Sequence, residues 1–137
     1  MIVEGYGALF GVEDQMHDII RAGAFAASLA ARGEPLPMLV EHEPRARAGV
    51  WLDAREDGRG LWLRGEIGDD QPGAARARRL LARGGDGLSI GFIPITSHRS
   101  GPNRILTEID LIEVSIVITP MQPLARLAIA RDFARAA

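Results

Sequence analysis

The chain has 137 residues, of which 47% are hydrophobic and 25% are charged, so we expect one globular domain spanning residues 1–137. Its formal net charge of −2 argues against nucleic acid and anionic membranes as partners, because the protein has no overall positive field to attract them. The absence of cysteine excludes disulfide bonds and sulfur-based zinc sites, and the absence of lysine excludes a Ser-Lys dyad, so a hydrolytic serine would need a histidine or a carboxylate.

The first third of the chain predicts two strands and one helix. Residues 2–10 combine β-favouring apolar residues with glycines and predict a strand. Residues 22–32 have apolar residues at helical spacing, with a glycine as the C-terminal stop, and predict a short helix. Residues 38–42 predict a buried strand that breaks at Glu43-Pro44, which places His42 at a strand end.

The middle third predicts a hairpin followed by a helix. Residues 48–55 and 61–67 both alternate in polarity, and the Asp57-Gly58 pair between them is a hairpin signal. Residues 74–83 place alanine and leucine on one face and arginines on the other, which predicts the clearest helix of the chain. We expect Asp69-Asp70 to cap this helix, with the proline that follows them in its first turn.

The last third predicts only strands. Residues 87–95 are strand-like, a turn follows at residues 99–103, and the β-branched density of residues 105–119 predicts central strands rather than a helix. A final apolar segment covers residues 125–129. With about six to eight strands and two helices, we expect a mainly β, α+β protein, with a closed or nearly closed antiparallel barrel and helices packed outside.

Two residues are candidates for hydrolytic chemistry, although neither is specific by itself. His42 follows an apolar strand between two glutamates, a position more common for surface histidines. Ser89 introduces a hydroxyl into an apolar strand, and Gly91 would let another chain or a ligand approach closely, but outward-facing strand serines are common. Residues 87–91 match Gly-x-Ser-x-Gly, yet a strand follows instead of the helix that an α/β-hydrolase nucleophile elbow requires.

Other features predict no cofactor and no metal. His17, Asp18 and His98 do not have metal-ligand spacing. Trp51 and Trp62 are typical of packing rather than of a substrate cage. A cluster of arginines in the predicted helix would suit an acidic peptide or a partner surface, although such a face is usually only solvated; its members are Arg76, Arg78, Arg79 and Arg83.

An ordered set of short motifs resembles the caudovirus prohead serine protease family from about residue 5 to about residue 128. The motifs are Gly23-Ala24-Phe25 after Asp18-Ile19-Ile20, an isolated His42 followed by Gly49, Gly58-Arg59-Gly60-Leu61, an Arg-rich helix ending at Gly84, Leu88-Ser89-Ile90-Gly91-Phe92, and Glu113-Val114-Ser115-Ile116-Val117-Ile118-Thr119-Pro120.

This resemblance implies a fold similar to the herpesvirus assemblins and cleavage of peptide bonds inside an immature capsid. Ser89 then corresponds to the nucleophile and His42 to the base, and Glu113 corresponds to the acidic third member. Asp110 is a competing carboxylate, three residues earlier and on the opposite face of a regular strand.

The resemblance also implies the partners and the location. The substrates would be the N-terminal scaffold region of the major capsid protein, or a separate scaffold protein, together with the protease itself. The tail at residues 131–137 is a candidate for self-cleavage, although a frayed helix explains it equally well. A homo-oligomer is left open, as is the choice between phage, prophage remnant and gene transfer agent. Without a predicted membrane span or export signal, we expect the host cytoplasm, inside the prohead.

Two other functions are compatible with this sequence. A noncatalytic capsid-assembly or scaffolding module would keep the barrel without competent chemistry, because a fold does not guarantee activity. An esterase would use the same residues on small substrates.

Overall fold

The computed structural model describes residues 1–130, which form eight strands and two helices. The strands are β1 (Ile2–Leu9), β2 (Asp18–Ile20), β3 (Leu36–Val40), β4 (Glu43–Glu56), β5 (Gly60–Ile67), β6 (Gly87–Ser100), β7 (Asn103–Val117) and β8 (Leu127–Ile129). The helices are α1 (Ala26–Ala31) and α2 (Ala74–Ala82). Neither helix is long and apolar enough to cross a membrane, and no other helix is described in residues 1–130.

One curled sheet contains all eight strands, in the order β2-β7-β3-β4-β5-β1-β8, with β6 also paired to β7. Hydrogen bonds also join the starts of β6 and β8, since Leu88 N donates to Ala125 O at 2.8 Å and Leu127 N donates to Asp86 O at 2.8 Å. The pairings are antiparallel except where β2 and β3 run parallel to β7. The expected mainly β fold is therefore confirmed, as a curled half-barrel rather than a regular antiparallel barrel.

Strand β7 is the centre of the fold because it has three partners. Strand β6 pairs along most of its length. Strand β2 pairs with residues 104–106 and β3 with residues 114–116, so both lie beside β7 at different heights. The apolar stretch at residues 105–119 is thus mostly one long strand, and its side chains at Leu106, Ile109, Leu111, Val114 and Ile116 are fully buried.

The predicted hairpin is confirmed, with one irregularity. Strand β5 alternates buried and more exposed residues as expected. In β4 the register shifts between Trp51 and Asp53, so Leu52 is left 61% exposed rather than paired inward. Trp51 is buried and its Nε1 donates to Val114 O at 3.1 Å, which confirms its packing role.

Helix α1 is shorter than expected because its predicted first turn is not helical. Gly23 has a φ of +93°, which a right-handed helix cannot accommodate. Glu56 Oε1 accepts hydrogen bonds from Gly23 N at 3.0 Å and Phe25 N at 3.2 Å, so a carboxylate from β4 satisfies these donors before the helix begins.

Helix α2 begins at Ala74, and the expected capping by Asp69-Asp70 is wrong. Its N-cap residue is Gly73, with no side-chain hydrogen bond. Gly73 N donates to Arg47 O at 2.8 Å, which ties the approach to the helix against β4. Asp69 instead forms an ion pair with Arg78.

Candidate active site

His42 lies in a tight turn between β3 and β4. The predicted strand break at Glu43-Pro44 is wrong, because β4 already begins at Glu43. Val40 pairs with Glu43, so only two residues form the turn, and β4 starts at once. Glu41 and His42 have φ values of 52° and 59°, the left-handed region that two-residue hairpin turns use but that non-glycine residues rarely adopt. Such backbone strain is found where surrounding contacts enforce it, often at functional sites.

Strand β7 supplies the contacts that hold this turn. Glu41 N donates to Ile116 O at 3.0 Å, and His42 N donates to the Ser115 hydroxyl at 3.0 Å. The Glu41 carboxylate in turn accepts from Ile118 N at 2.7 Å. The turn is therefore bound by two hydrogen bonds to β7 and by one to the residue that follows it, which fixes the direction in which the imidazole leaves the backbone.

The other two site residues meet His42 because β7 lies between β3 and β6. In the β6–β7 ladder, Ser89 is opposite Ser115 and Gly91 is opposite Glu113. Residues two apart on a strand share a face, so Glu113 and Ser115 point to the same side of β7. The chain positions of the three groups are far apart, and only strand pairing brings them together.

The resulting geometry is a series of three hydrogen-bonded groups. His42 Nε2 is 3.2 Å from Ser89 Oγ, and His42 Nδ1 is 2.5 Å from Glu113 Oε1. Ser89 and Glu113 are buried, with 4% and 7% of their surface exposed, whereas 44% of the His42 side chain is exposed. A hydroxyl, an imidazole and a carboxylate in this order form the arrangement used in nucleophilic hydrolysis.

Glu113 raises the pKa of His42 above its usual value. The main cause is the hydrogen bond from the ring to the Glu113 carboxylate; partial burial opposes it, and the negative charges of Glu113 and Glu41 add to it. These carboxylates stabilise the imidazolium, which is the form that a general base reaches after taking a proton. An imidazole accepts a proton only in its neutral form, so the neutral fraction of His42 increases as pH rises through the raised pKa.

Gly91 gives the Glu113 side chain the space that it occupies. A Cβ added at Gly91 would lie 2.9 Å from Glu113 Cδ and 3.0 Å from its Cγ, both too close for carbon atoms. The close approach that sequence reasoning assigned to another chain or a ligand is thus made by Glu113. The signal that could have identified this partner is strand pairing, which the sequence does not encode locally.

A small cavity of about 90 Å³ adjoins Ser89 and His42. Its walls are largely apolar and include Gly7, Phe92 and Met121, with Asp14 as a charged member. Desolvation raises the pKa of the Asp14 carboxyl above its usual value, although backbone hydrogen bonds oppose this. The cavity is a candidate pocket for one side chain of a peptide.

A larger depression of about 320 Å³ adjoins the turn at Glu41 and His42, which we call the histidine turn. Three of the arginines singled out above line it with Glu41; they are Arg76, Arg79 and Arg83. Arg78 faces elsewhere and pairs with Asp69.

The remaining candidate residues lie away from His42. The Asp110 carboxylate accepts a hydrogen bond from Ser28 Oγ at 3.2 Å, so the structure places Glu113, and not Asp110, beside the imidazole. His17 Nδ1 is 2.7 Å from Glu13 Oε1, and Asp18 is held by Arg104 at 2.8 Å. In the described part of the chain, no group of three histidine or carboxylate side chains is arranged to hold a metal ion.

Sequence reasoning gave no role to Ser115. Its hydroxyl is fully buried and donates to Glu113 Oε2 at 2.7 Å while accepting from His42 N. The spacing of Glu113 and Ser115, two apart on a strand, was the available signal, because it places both on one face.

Comparisons with known proteins give the family and the fold. The model of the family described as caudovirus prohead serine protease matches residues 1–136. The prohead protease of Enterobacteria phage HK97 is 34% identical over 93 residues, which are 66% of this chain and 41% of that protein. The chain therefore spans about two fifths of the length of this curated relative.

Two solved structures are similar in fold at low sequence identity. The capsid assembly protease of bacteriophage T4 has a TM-score of 0.69 and 18% identity, covering 87% of this chain and 82% of that chain. KSHV protease in complex with a hexapeptide phosphonate inhibitor has a TM-score of 0.66 and 19% identity, covering 96% of this chain and 65% of that chain. The herpesvirus-protease-like fold expected from the motifs is confirmed, and this chain belongs to the caudovirus prohead serine protease family.

Proposed function

We propose that this protein is a serine endopeptidase of prohead maturation that cleaves scaffold regions of the capsid protein. Ser89 is the nucleophile, His42 the general base and Glu113 the carboxylate that orients the base. The observation that carries this proposal is the hydrogen-bonded series from the Ser89 hydroxyl through both ring nitrogens of His42 to Glu113.

The geometry supports acyl transfer in two stages. Neutral His42 takes the hydroxyl proton of Ser89 on Nε2 while Oγ attacks the peptide carbonyl, and Glu113 stabilises the imidazolium that forms. The imidazolium then gives its proton to the departing amine, which leaves an acyl-enzyme. Water, deprotonated by His42, attacks the ester, and Ser89 recovers its proton. Backbone amides would stabilise the oxyanion in both stages.

The capsid substrate is supported by the family and by the names of similar proteins. A relative is a prohead protease, and a structural neighbour is a capsid assembly protease. We extend this to self-cleavage and to activity inside the prohead in the host cytoplasm. The tail considered for self-cleavage, residues 131–137, lies outside the described residues.

Coexpression with the cognate capsid protein tests the proposal. Ser89→Ala should abolish capsid processing because it removes the nucleophile, whereas Ser97→Ala, an exposed serine farther along β6, should leave processing intact. Capsid processing that is unchanged in Ser89→Ala would reject the protease assignment.

A fluorophosphonate probe separates the residue choice from the function. Labelling of Ser89 in the parent, lost in His42→Ala, supports the proposed pair, and labelling of another serine rejects only the choice of nucleophile. No labelling and no capsid cleavage would favour the noncatalytic scaffolding module. Hydrolysis of small esters without capsid cleavage would favour an esterase.

A further inference from the structure

Ser115 lies at the centre of the site, yet the proposed reaction gives it no step. Its hydroxyl is within hydrogen-bond distance of two groups, the backbone N–H of His42 at 3.0 Å and Glu113 Oε2 at 2.7 Å. We propose that Ser115 is a positioning residue that locks the histidine turn and the Glu113 carboxylate into one hydrogen-bonded ring. This inference rests on the proposed function, whose acid–base pair it explains.

The direction of each hydrogen bond in this ring follows from the chemistry of its groups. A backbone N–H only donates, so the Ser115 oxygen accepts from His42, and the serine proton is left for Glu113 Oε2. Glu113 Oε1 is left to accept from the Nδ1–H of the His42 imidazole. Both carboxylate oxygens therefore serve the same residue: one contacts the imidazole directly, and the other holds the backbone through Ser115.

The closed ring determines the tautomer of His42. With the proton held on Nδ1 by Glu113, neutral His42 presents an unprotonated Nε2 to the Ser89 hydroxyl, as a general base requires. Donation from Ser115 also fixes the orientation of the Glu113 carboxylate, because it holds Oε2 while Oε1 faces Nδ1 of His42. Loss of the hydroxyl should weaken both effects at once.

The turn between β3 and β4 explains why a side chain is needed at this position. The ladder between β3 and β7 extends to the bond from Glu41 N to Ile116 O, and the next N–H, on His42, is oriented by a left-handed backbone. The acceptor for this N–H is the Ser115 hydroxyl. Ser115 thus satisfies the donor that the strained turn directs towards β7.

The test is a titration of His42 by NMR in the Ser89→Ala background, which needs no proteolytic activity. The carboxylates facing His42 are Glu113 from β7 and Glu41 from its own turn, and Asp14 lines the same cavity. Ser115→Ala should lower the pKa of His42, because a less firmly held Glu113 stabilises the imidazolium less well. Ser115→Thr keeps the hydroxyl and should restore the parent pKa.

The kinetics of peptide cleavage, measured in the protein that retains Ser89, provide the second readout. Ser115→Ala should reduce kcat by about 10²-fold with little change in KM, because the reacting groups are misaligned while the substrate still binds. The acidic limb of the pH profile of kcat/KM for Ser115→Ala should move to lower pH, together with the pKa of His42. Ser115→Cys keeps a similar size with a weaker donor, so it should give an intermediate shift and remains informative if the alanine variant does not fold.

Ser28 offers a matched control elsewhere in the fold. Its hydroxyl also joins a backbone donor to a carboxylate, accepting from Leu111 N at 2.9 Å and donating to Asp110 at 3.2 Å. Ser28→Ala should lower the stability of the protein without changing the pKa of His42 or the acidic limb of the pH profile of kcat/KM.

An unchanged His42 pKa in both Ser115→Ala and Ser115→Cys would overturn the inference, as would an equal shift in Ser28→Ala. A shifted pKa in Ser115→Ala, together with no capsid cleavage by the parent protein that retains Ser89, would support the ring and refute the proposed function instead.

Discussion

Replacement of Gly91 by alanine tests whether the packing around Glu113 controls the site. The added Cβ would lie 2.9 Å from Glu113 Cδ, and carbon atoms prefer a separation of about 3.5 to 4.0 Å, so the carboxylate would have to retreat by roughly 0.6 Å or more. Gly91 does not have a positive φ, so alanine meets no backbone strain of its own. The whole effect should therefore arise from the displaced carboxylate.

This displacement should reduce both the activity and the stability of the protein. A shift of about 1 Å in a catalytic group can cost about 10²-fold in rate, and we expect Gly91→Ala to lower kcat/KM by that order. Overpacking should cost about 1 to 3 kcal/mol in the free energy of unfolding. Peptide-cleavage kinetics and urea denaturation would measure the two effects in the same preparations.

Two further variants make the reasoning refutable. Gly87→Ala also crowds β6, with its Cβ at 2.8 Å from both Pro120 Cδ and the backbone oxygen of Val117, but it does not contact Glu113. It should therefore cost at least as much stability as Gly91→Ala and reduce kcat/KM less. Glu113→Asp moves the same carboxylate, so its effect combined with Gly91→Ala should be less than additive. Full activity in a folded Gly91→Ala protein, or an equal loss in Gly87→Ala, would refute this account.

Two other substitutions separate the electrostatics of the site from the stability of the fold. Glu113→Gln should lower kcat by up to about 10⁴-fold, because an amide can favour the wrong histidine tautomer. It should also lower the pKa of His42, since Glu113 raises it, so the acidic limb of kcat/KM should move to lower pH; an acidic limb that stays in place would contradict this assignment. Trp51→Phe removes the donor to Val114 O and should cost about 1 to 3 kcal/mol in urea denaturation. It should leave the pKa of His42 unchanged, whereas Trp62→Phe, at a half-buried position against Tyr6, should cost less.

Local patterns in the sequence were sufficient for most strands and for the fold class. The alternation of residues 61–67 and the Asp57-Gly58 pair predicted a hairpin that the structure contains, because both signals act between neighbouring residues. The ordered motifs predicted the family. The beginnings of the two helices were less predictable, because contacts from β4 to Gly23 and Gly73 determine them.

The family motif favoured Glu113 over Asp110, but only the tertiary structure showed the contact between Glu113 and His42 and the contacts that Gly91 and Ser115 make with Glu113. Ser89 and Glu113 lie 47 and 71 positions from His42 in the chain, and their separation in space depends on strand register. A single strand, β7, pairs with β6 on one edge and with β3 on the other, which brings all three groups to one place. Sequence by itself determined which residue types were available for hydrolysis, whereas the register of β7 decided which carboxylate meets the histidine.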